Sequence, residues 1–132
     1  MAFRRRLQGI GESVAEDLTE LIEAIQGFVA ERDWDQFHDP KSLAMLVASE
    51  AGELLAEYRW IRTDEADAHT QDDEARARVE AEIADVGISL LLLCNRLDID
   101  LPEAIRKKLE VNRRNYPPDL ARGNAERHPR PS

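Results

Sequence analysis

Apolar residues recur at intervals of three and four positions over most of the chain, which is the spacing of amphipathic α-helices. No stretch shows the strict alternation of a half-buried β-strand. Asp39 and Asp100 stand at expected helix N-caps, each with a proline close behind. The pattern predicts an all-α fold resembling a four-helix bundle, with helices from Ser13 to Arg32, Pro40 to about Ile61, Asp73 to about Leu97, and Asp100 to the residues before Pro117.

The third predicted helix differs from the others because it becomes apolar on every side at "ISLLLLC". Such a segment is typical of a helix enclosed by its neighbours, so we expect it at the centre of the bundle. Cys94 lies within this run and should pack as a small apolar residue. The segment 62–73 is polar, acidic and aperiodic, and it predicts a solvated loop.

The chain has 132 residues, which fits a single domain spanning 1–132. Residues 1–12 and 121–132 lack a core-forming pattern, so we expect flexible tails there. The first tail carries the basic cluster Arg4–Arg6, which we interpret as solvated.

The formal net charge of −9 argues against nucleic acid or an anionic membrane as the main partner, because both would repel an acidic surface. No apolar run has the length of a signal peptide or a membrane span. A single cysteine allows no intramolecular disulfide, which favours a reducing, cytoplasmic location.

Four carboxylates stand out against the apolar periodicity. Glu50 falls in the middle of the apolar sector of the second helix, and Glu53 lies one turn further on. Glu82 is placed in the same way on the third helix, with Asp85 one turn beyond it. The spacing therefore predicts that two helices each turn a pair of acids toward the interior.

Acids gathered in a poorly solvated place repel one another, so a positive partner is required. Carboxylate oxygens without His or Cys select a hard cation, and Mg²⁺, with Mn²⁺ as a substitute, suits a site that also binds phosphates. A di-iron bundle would need E-x-x-H pairs, which the sequence lacks. The alternative is a non-catalytic helical interaction module whose acids bind a structural cation or pair with arginines.

The stretches "SEAGELLAEYRW" and "EAEIADVGISLL" resemble the E-E-x-x-E…E-x-x-D signature of the MazG-like nucleotide pyrophosphohydrolases, with Ser49 in place of the first glutamate. The segments "AERDWDQFH", "LPEAI" and "NRRNYPPDLARG" extend the resemblance to the dCTP pyrophosphatase subgroup.

This resemblance implies Mg²⁺-dependent cleavage of a nucleoside triphosphate between its α and β phosphates. The expected substrate is dCTP or a related deoxynucleotide, including base-modified ones, and the expected role is control or sanitation of the nucleotide pool. The implied metal ligands are Glu50, Glu53, Glu82 and Asp85. Glu53 and Glu50 are the implied catalytic carboxylates, with Glu53 the expected acceptor of the attacking water's proton.

The resemblance also implies a nucleotide-binding set that combines aromatic, polar and cationic side chains. It comprises Trp34, Asp35, Gln36, Phe37, His38, Trp60, Ser89, Lys108 and Asn112. Core packing is the alternative role for the aromatic members.

Two positions depart from the dCTP pyrophosphatase pattern, and family members are oligomeric. The subgroup has a tyrosine and a histidine where this chain has Ser89 and Ile25, so the resemblance leaves the base and sugar preference open. It implies a homodimer or a homotetramer built as a dimer of dimers. An all-round apolar third helix fits such an assembly, because a lone small protomer would struggle to cover it.

Overall fold

The computed structural model describes residues 13–125, and of the predicted flexible tails 1–12 and 121–132, all but residues 121–125 lie outside this range. The described residues contain α-helices and short 3₁₀ turns, at Asp35–Phe37 and Thr63–Glu65, and no β-strand. The α-helices are α1 (Ser13–Glu31), α2 (Pro40–Ala56), α3 (Ala66–Gln71), α4 (Asp73–Arg96), α5 (Leu101–Asn115) and α6 (Pro118–Ala121). The all-α prediction is confirmed, and the four long helices begin where the sequence predicts, within one residue.

Helix α4 is the centre of the first compact unit, which ends at Asp98. It contacts α1, α2 and α3, as its apolar composition predicts. Burial in a shared core holds these helices together, since apolar surface removed from water is the main stabilising contribution to folding. The buried apolar side chains are Ile25 and Val29 of α1, Leu43 of α2, and Ala75, Val79, Leu91, Leu92 and Cys94 of α4.

The prediction that α4 is enclosed on every side is only partly right. Leu91, Leu92 and Cys94 are buried, whereas Ile83 keeps 55% and Ile88 42% of its surface exposed. Within the protomer the helix therefore has an apolar side without a cover.

Aspartate caps fix the starts of the three longest helices after α1. Asp39 accepts hydrogen bonds from the backbone N–H of Ser42 at 2.9 Å and from its hydroxyl at 2.6 Å. Asp72 and Asp100 cap α4 and α5 through the same backbone arrangement. Each cap satisfies an N–H that has no partner within its helix, which explains why the sequence predicts these boundaries well.

The predicted end of the second helix, near Ile61, was wrong, since α2 ends at Ala56. The N–H groups of Glu57 and Tyr58 donate to carbonyls three residues earlier, which tightens the chain into turns. The Tyr58 hydroxyl lies 2.7 Å from the Thr70 hydroxyl. This contact with a later segment draws the chain away from the α2 axis.

The segment 62–73, predicted as a solvated loop, instead contains a 3₁₀ turn and the short helix α3, which packs on α4. Thr70 donates back to the Ala66 carbonyl at 2.9 Å, and the His69 ring meets the Tyr58 ring edge-on at 5.9 Å between centroids. Six helical residues are too few to show a clear apolar period, so this helix left no signal in the sequence.

Residues 99–125 belong to a second compact unit, which contains α5 and α6. Helix α5 carries the predicted stripe of Leu101, Ile105 and Leu109, of which the last two remain nearly half exposed. Helix α6 was not predicted, and only its last residue, Ala121, falls within the segment 121–132 that was expected to be a tail. Among residues 13–125, no helix combines the length and apolarity that crossing a membrane requires.

The α2 cap should depend on pH. The Ser42 hydroxyl and backbone N–H both stabilise ionised Asp39 and lower its pKa. A lowered pKa means that the cap contributes its full stability above the ordinary aspartate value of about 3.9 and loses it as pH falls through the folded-state value. Asp39→Ala should therefore unfold more easily than the wild type at neutral pH, with the difference shrinking on acidification.

Asp39→Asn is the matched control, because asparagine caps a helix without ionising. Thermal unfolding from pH 2 to 7 would measure both variants. A stability difference between wild type and Asp39→Asn that stayed constant across this range would contradict the assignment.

Candidate metal centre

Helices α2 and α4 bring three of the four predicted acids together. One carboxylate oxygen each from Glu50, Glu82 and Asp85 lies within 4.8 Å of the others. Glu50 comes from α2, and Glu82 and Asp85 come from successive turns of α4. The structure groups three of the predicted acids, although the predicted turn toward the interior holds only for the half-buried Glu50 and Glu82, since Asp85 is exposed.

Glu53, the fourth predicted ligand, lies outside this trio in the structure. Its side chain is exposed on α2, although its charge is close enough to raise the pKa of Glu82. Its carboxylate oxygens are not among those that lie within 4.8 Å of one another, so Glu53 borders the trio and does not join it.

The electrostatics of the site centre on Glu82. Partial burial raises its pKa, and the negative charges of Asp85, Glu53, Glu50 and Glu57, in decreasing order, raise it further. Burial removes water that stabilises a carboxylate, and the negative charges of its neighbours repel its own charge. At neutral pH the cluster therefore carries an unfavourable concentration of negative charge.

The centre is more open than the sequence indicates. Glu50 and Glu82 are half-buried, whereas Glu53 and Asp85 are exposed. The acids lie along the edge of the α2–α4 contact, where water still reaches them. An open edge leaves room for a bound molecule above the carboxylates.

These donors fit a hard divalent cation. All three close ligands are carboxylate oxygens, and their spacing allows one ion to contact each of them. A bound cation would also replace the repulsion at Glu82 with attraction. Glu50, Glu82 and Asp85 are the residues that would hold it, with Glu53 at its border.

The predicted aromatic segment lies between α1 and α2. Trp34 is 44% and Phe37 62% exposed, so neither is a core residue within the protomer. Trp34 packs edge-on against Phe28 with 5.7 Å between ring centroids. Asp35 borders a cavity of about 190 Å³ between α1 and α4.

The remaining members of this segment are polar. The Gln36 side chain donates to the carbonyl and carboxylate of Asp33 at 3.0 and 3.1 Å, and the backbone N–H of Phe37 closes the 3₁₀ turn by donating to the Trp34 carbonyl at 2.9 Å. His38 is half-buried, and its Nδ1 has no hydrogen-bond partner among residues 13–125.

The other predicted nucleotide-binding residues have different surroundings. Trp60 is 83% exposed beside the guanidinium of Arg59. Ser89 is buried, and its hydroxyl donates to the Val86 carbonyl at 2.9 Å. Lys108 and Asn112 lie one turn apart on α5, in the second compact unit.

An ion pair between the C-terminal end of α2 and helix α4 was not predicted from the sequence. Arg78 Nε lies 3.2 Å from Glu57 Oε2 across a gap of 21 positions in the chain. The available signal was weak: Arg78 precedes Glu82 by four residues, and Glu57 follows Glu53 by four, which places each one turn from a predicted ligand.

Comparison with known proteins gives this arrangement a context. A model of the MazG-like family matches residues 46–128, more than half of the chain, and this range includes all four acids. The chain belongs to the MazG-like family. The family resemblance read from the acid motif and its flanking segments is thereby confirmed.

The curated relatives of this MazG-like chain include dCTP pyrophosphatase 1 from Bos taurus and from Homo sapiens. The bovine protein is 40% identical over 98 residues, which are 74% of this chain and 58% of the relative. The human protein is 39% identical over 101 residues, 76% of this chain and 59% of the relative. The chain thus spans less than three fifths of the curated relatives it matches.

The fold also matches a solved structure, a pyrophosphatase from Archaeoglobus fulgidus. The TM-score is 0.72 at 38% sequence identity, and the match covers 76% of this chain and 93% of the other. The MazG-like fold is therefore supported by sequence and by structure.

The charge cluster predicts opposite effects of one substitution with and without metal. The pKa of Glu82 is raised in the folded state, so its ionisation lowers the stability of the metal-free protein. The loss begins as pH rises past the ordinary glutamate pKa and is complete above the raised folded-state pKa. Glu82→Gln should therefore raise the melting temperature without metal at pH 7. It should also remove most of the stabilisation that Mg²⁺ gives the wild type, because a ligand is lost.

Glu80→Gln is the control, since it removes an equal charge from an exposed position on the same helix. Thermal unfolding with a chelator and with millimolar Mg²⁺ would measure all three proteins. If Glu82→Gln and Glu80→Gln behaved alike in both conditions, the metal centre would be misplaced.

Proposed function

We propose that this protein is a Mg²⁺-dependent nucleoside triphosphate pyrophosphohydrolase. It hydrolyses the α–β phosphoanhydride of dCTP or a related deoxynucleotide, giving the monophosphate and pyrophosphate. The observation that carries the proposal is the convergence of Glu50, Glu82 and Asp85 in a member of the MazG-like family. The names of the relatives, dCTP pyrophosphatase and pyrophosphatase, support the same reaction class.

The acid trio has the chemistry that the reaction needs. Mg²⁺, when bound, supplies positive charge that offsets the phosphates and acidifies a water molecule. Glu50, Glu82 and Asp85 hold that charge at the α2–α4 edge, where two of the three carboxylates remain partly shielded from bulk water. Their fixed helical positions orient the triphosphate for in-line attack.

Glu53 is the proposed proton acceptor. It is exposed and borders the trio, and its charge is close enough to raise the pKa of Glu82. A carboxylate that is not saturated by metal can take the proton of the attacking water. The family resemblance of "SEAGE" points to the same residue.

Exposed aromatic rings are the proposed base-binding groups. Trp60 and Phe37 present most of their surface, and Trp34 nearly half, so each has a face available for stacking. Lys108 and Asn112 are proposed to contact the triphosphate, as in the family pattern. Ser89 and Ile25, which replace the tyrosine and histidine of the dCTP pattern, are both buried within the protomer.

We also propose that the protein functions as a homo-oligomer, a dimer or a dimer of dimers. Helix α2 exposes Met45 at 63% and Leu55 at 68%, and α4 exposes Ile83 at 55%. Large apolar side chains left open to this extent along two helices are typical of surfaces that a second protomer covers.

The reaction can be tested by identifying its products. With Mg²⁺ and dCTP the wild type should release pyrophosphate and dCMP, whereas cleavage at the outer bond would give phosphate and dCDP. Glu50→Ala and Asp85→Ala should each lower kcat/KM by about 100-fold or more, because charge stabilisation of the transition state is lost. Glu80→Ala is the charge-matched control on α4.

A panel of ribo- and deoxynucleoside triphosphates in the same assay would rank the bases and sugars. Absence of turnover with every triphosphate would reject the proposed enzyme and favour the interaction module. Near-normal activity of either acid variant would reject its place in the metal centre.

Sedimentation velocity tests the assembly. Leu55→Glu places a charge on the exposed apolar side of α2 and should convert the oligomer to monomers, because burying an unpaired carboxylate is costly. Lys41→Glu, at the polar start of the same helix, should leave the assembly intact. A monomeric wild type at micromolar concentration would contradict the proposal.

A further inference from the structure

The ion pair between Glu57 and Arg78 lies next to the metal centre along both helices. Glu57 and Glu50 are seven residues apart on the α2 side, which brings them to nearly the same angle around the helical path. Arg78, Glu82 and Asp85 follow one another at spacings of four and three on α4, so they share one face. The ion pair therefore lies directly beside the acid cluster along the contact between α2 and α4.

The contacts also fix the register between the two helices. Glu57, after the end of α2, meets Arg78 near the start of α4, whereas the earlier Glu50 meets the later Glu82 and Asp85. The helices thus run antiparallel here, with facing positions matched one turn after another. Glu57 is consequently a fifth carboxylate on the same α2–α4 contact, in addition to the trio and Glu53.

Glu57 is poorly placed without a cationic partner. It is the C-cap of α2, where the helix dipole is negative and disfavours an acid. Its side chain is only 21% exposed, so water shields its charge incompletely. The charge of Glu57 is also among those that raise the pKa of Glu82, so it is felt inside the cluster.

We propose that Arg78 is a positioning residue that keeps Glu57 out of the metal centre. The inference rests on the proposed function, because it concerns the same Mg²⁺ site. Mg²⁺ accepts six ligands in a rigid arrangement and, in phosphate-transferring sites, uses few carboxylates so that phosphate oxygens and water fill the rest. By holding Glu57 at 3.2 Å, Arg78 leaves those positions for the substrate.

The proposal predicts effects of opposite sign on metal and substrate. In Arg78→Ala, Glu57 is free to turn toward the acids, since it lies one helical turn beyond Glu53 and two turns beyond Glu50. Mg²⁺ alone should then bind about fivefold more tightly, because one more negative charge reaches it. The KM for dCTP should rise in the same variant, because a carboxylate occupies a position meant for phosphate.

A second substitution separates this role from a structural one. Arg78→Ala combined with Glu57→Gln should return both the Mg²⁺ affinity and the KM to within about twofold of the wild type, since the intruding charge is gone. Arg78→Lys should resemble the wild type because it keeps the cation. Arg76→Ala, at an exposed position on α4, is the charge-matched control.

Isothermal titration with MgCl₂ in the absence of nucleotide, together with steady-state kinetics on dCTP, would measure every variant. If the pair only ties α2 to α4, Glu57→Gln alone should impair the protein as much as Arg78→Ala, and the double variant should be no better. If Arg78 instead binds a phosphate, the double variant should keep the raised KM. Either result would overturn the proposal.

The wild type itself distinguishes this proposal from the proposed function. A wild type that neither binds Mg²⁺ nor releases pyrophosphate would reject the enzyme. A normal wild type with an unrescued double variant would reject only the role of Arg78.

Discussion

Repulsion between carboxylates at the contact of α2 and α4 is the constraint on which the candidate site depends. The same contact is part of the core: Leu43 of α2 and Val79 of α4 are buried. Apolar packing thus holds the helices together while the acids at its edge oppose close approach. A divalent cation would remove this conflict, and its binding would then contribute directly to the stability of the folded protein.

Along the contact between α2 and α4, the residues that stabilise the fold are separate from the acids of the candidate site. Buried apolar residues and aspartate caps fix the positions of the helices, and the half-buried and exposed acids at the edge form the candidate site. Since α2 and α4 are long and each is capped, the acids are presented on rigid elements. A site built in this way holds its geometry better than one on loops.

Apolar surface left open on the protomer bears on the same design. Met45, Leu55 and Ile83 lie on the two helices that carry the acids. Met45 and Leu55 are each five residues from Glu50, so they lie about 140° from it around the α2 axis, away from the acid cluster. The family model, which matches residues 46–128, includes Leu55, Ile83 and all four acids.

Features that depend on short-range geometry could be predicted from the sequence alone. Helical periodicity placed the long helices, Asp39 and Asp100 marked their starts, and the spacing of Glu82 and Asp85 put them on one face. These features follow from backbone hydrogen bonds and residue propensities within a few positions. Sequence resemblance then supplied the family, because its motif is made of the same closely spaced acids.

Other features depend on tertiary contacts and could not be predicted from the sequence. They are the end of α2, the helix at 66–71, the position of Glu53 beside the trio, and the ion pair of Arg78 with Glu57. Each of these depends on side chains that meet across a long stretch of chain, as Tyr58 meets Thr70 and Glu57 meets Arg78. Periodicity reports which face of a helix is buried. It carries no information on which polar partner a neighbouring helix will bring to that face.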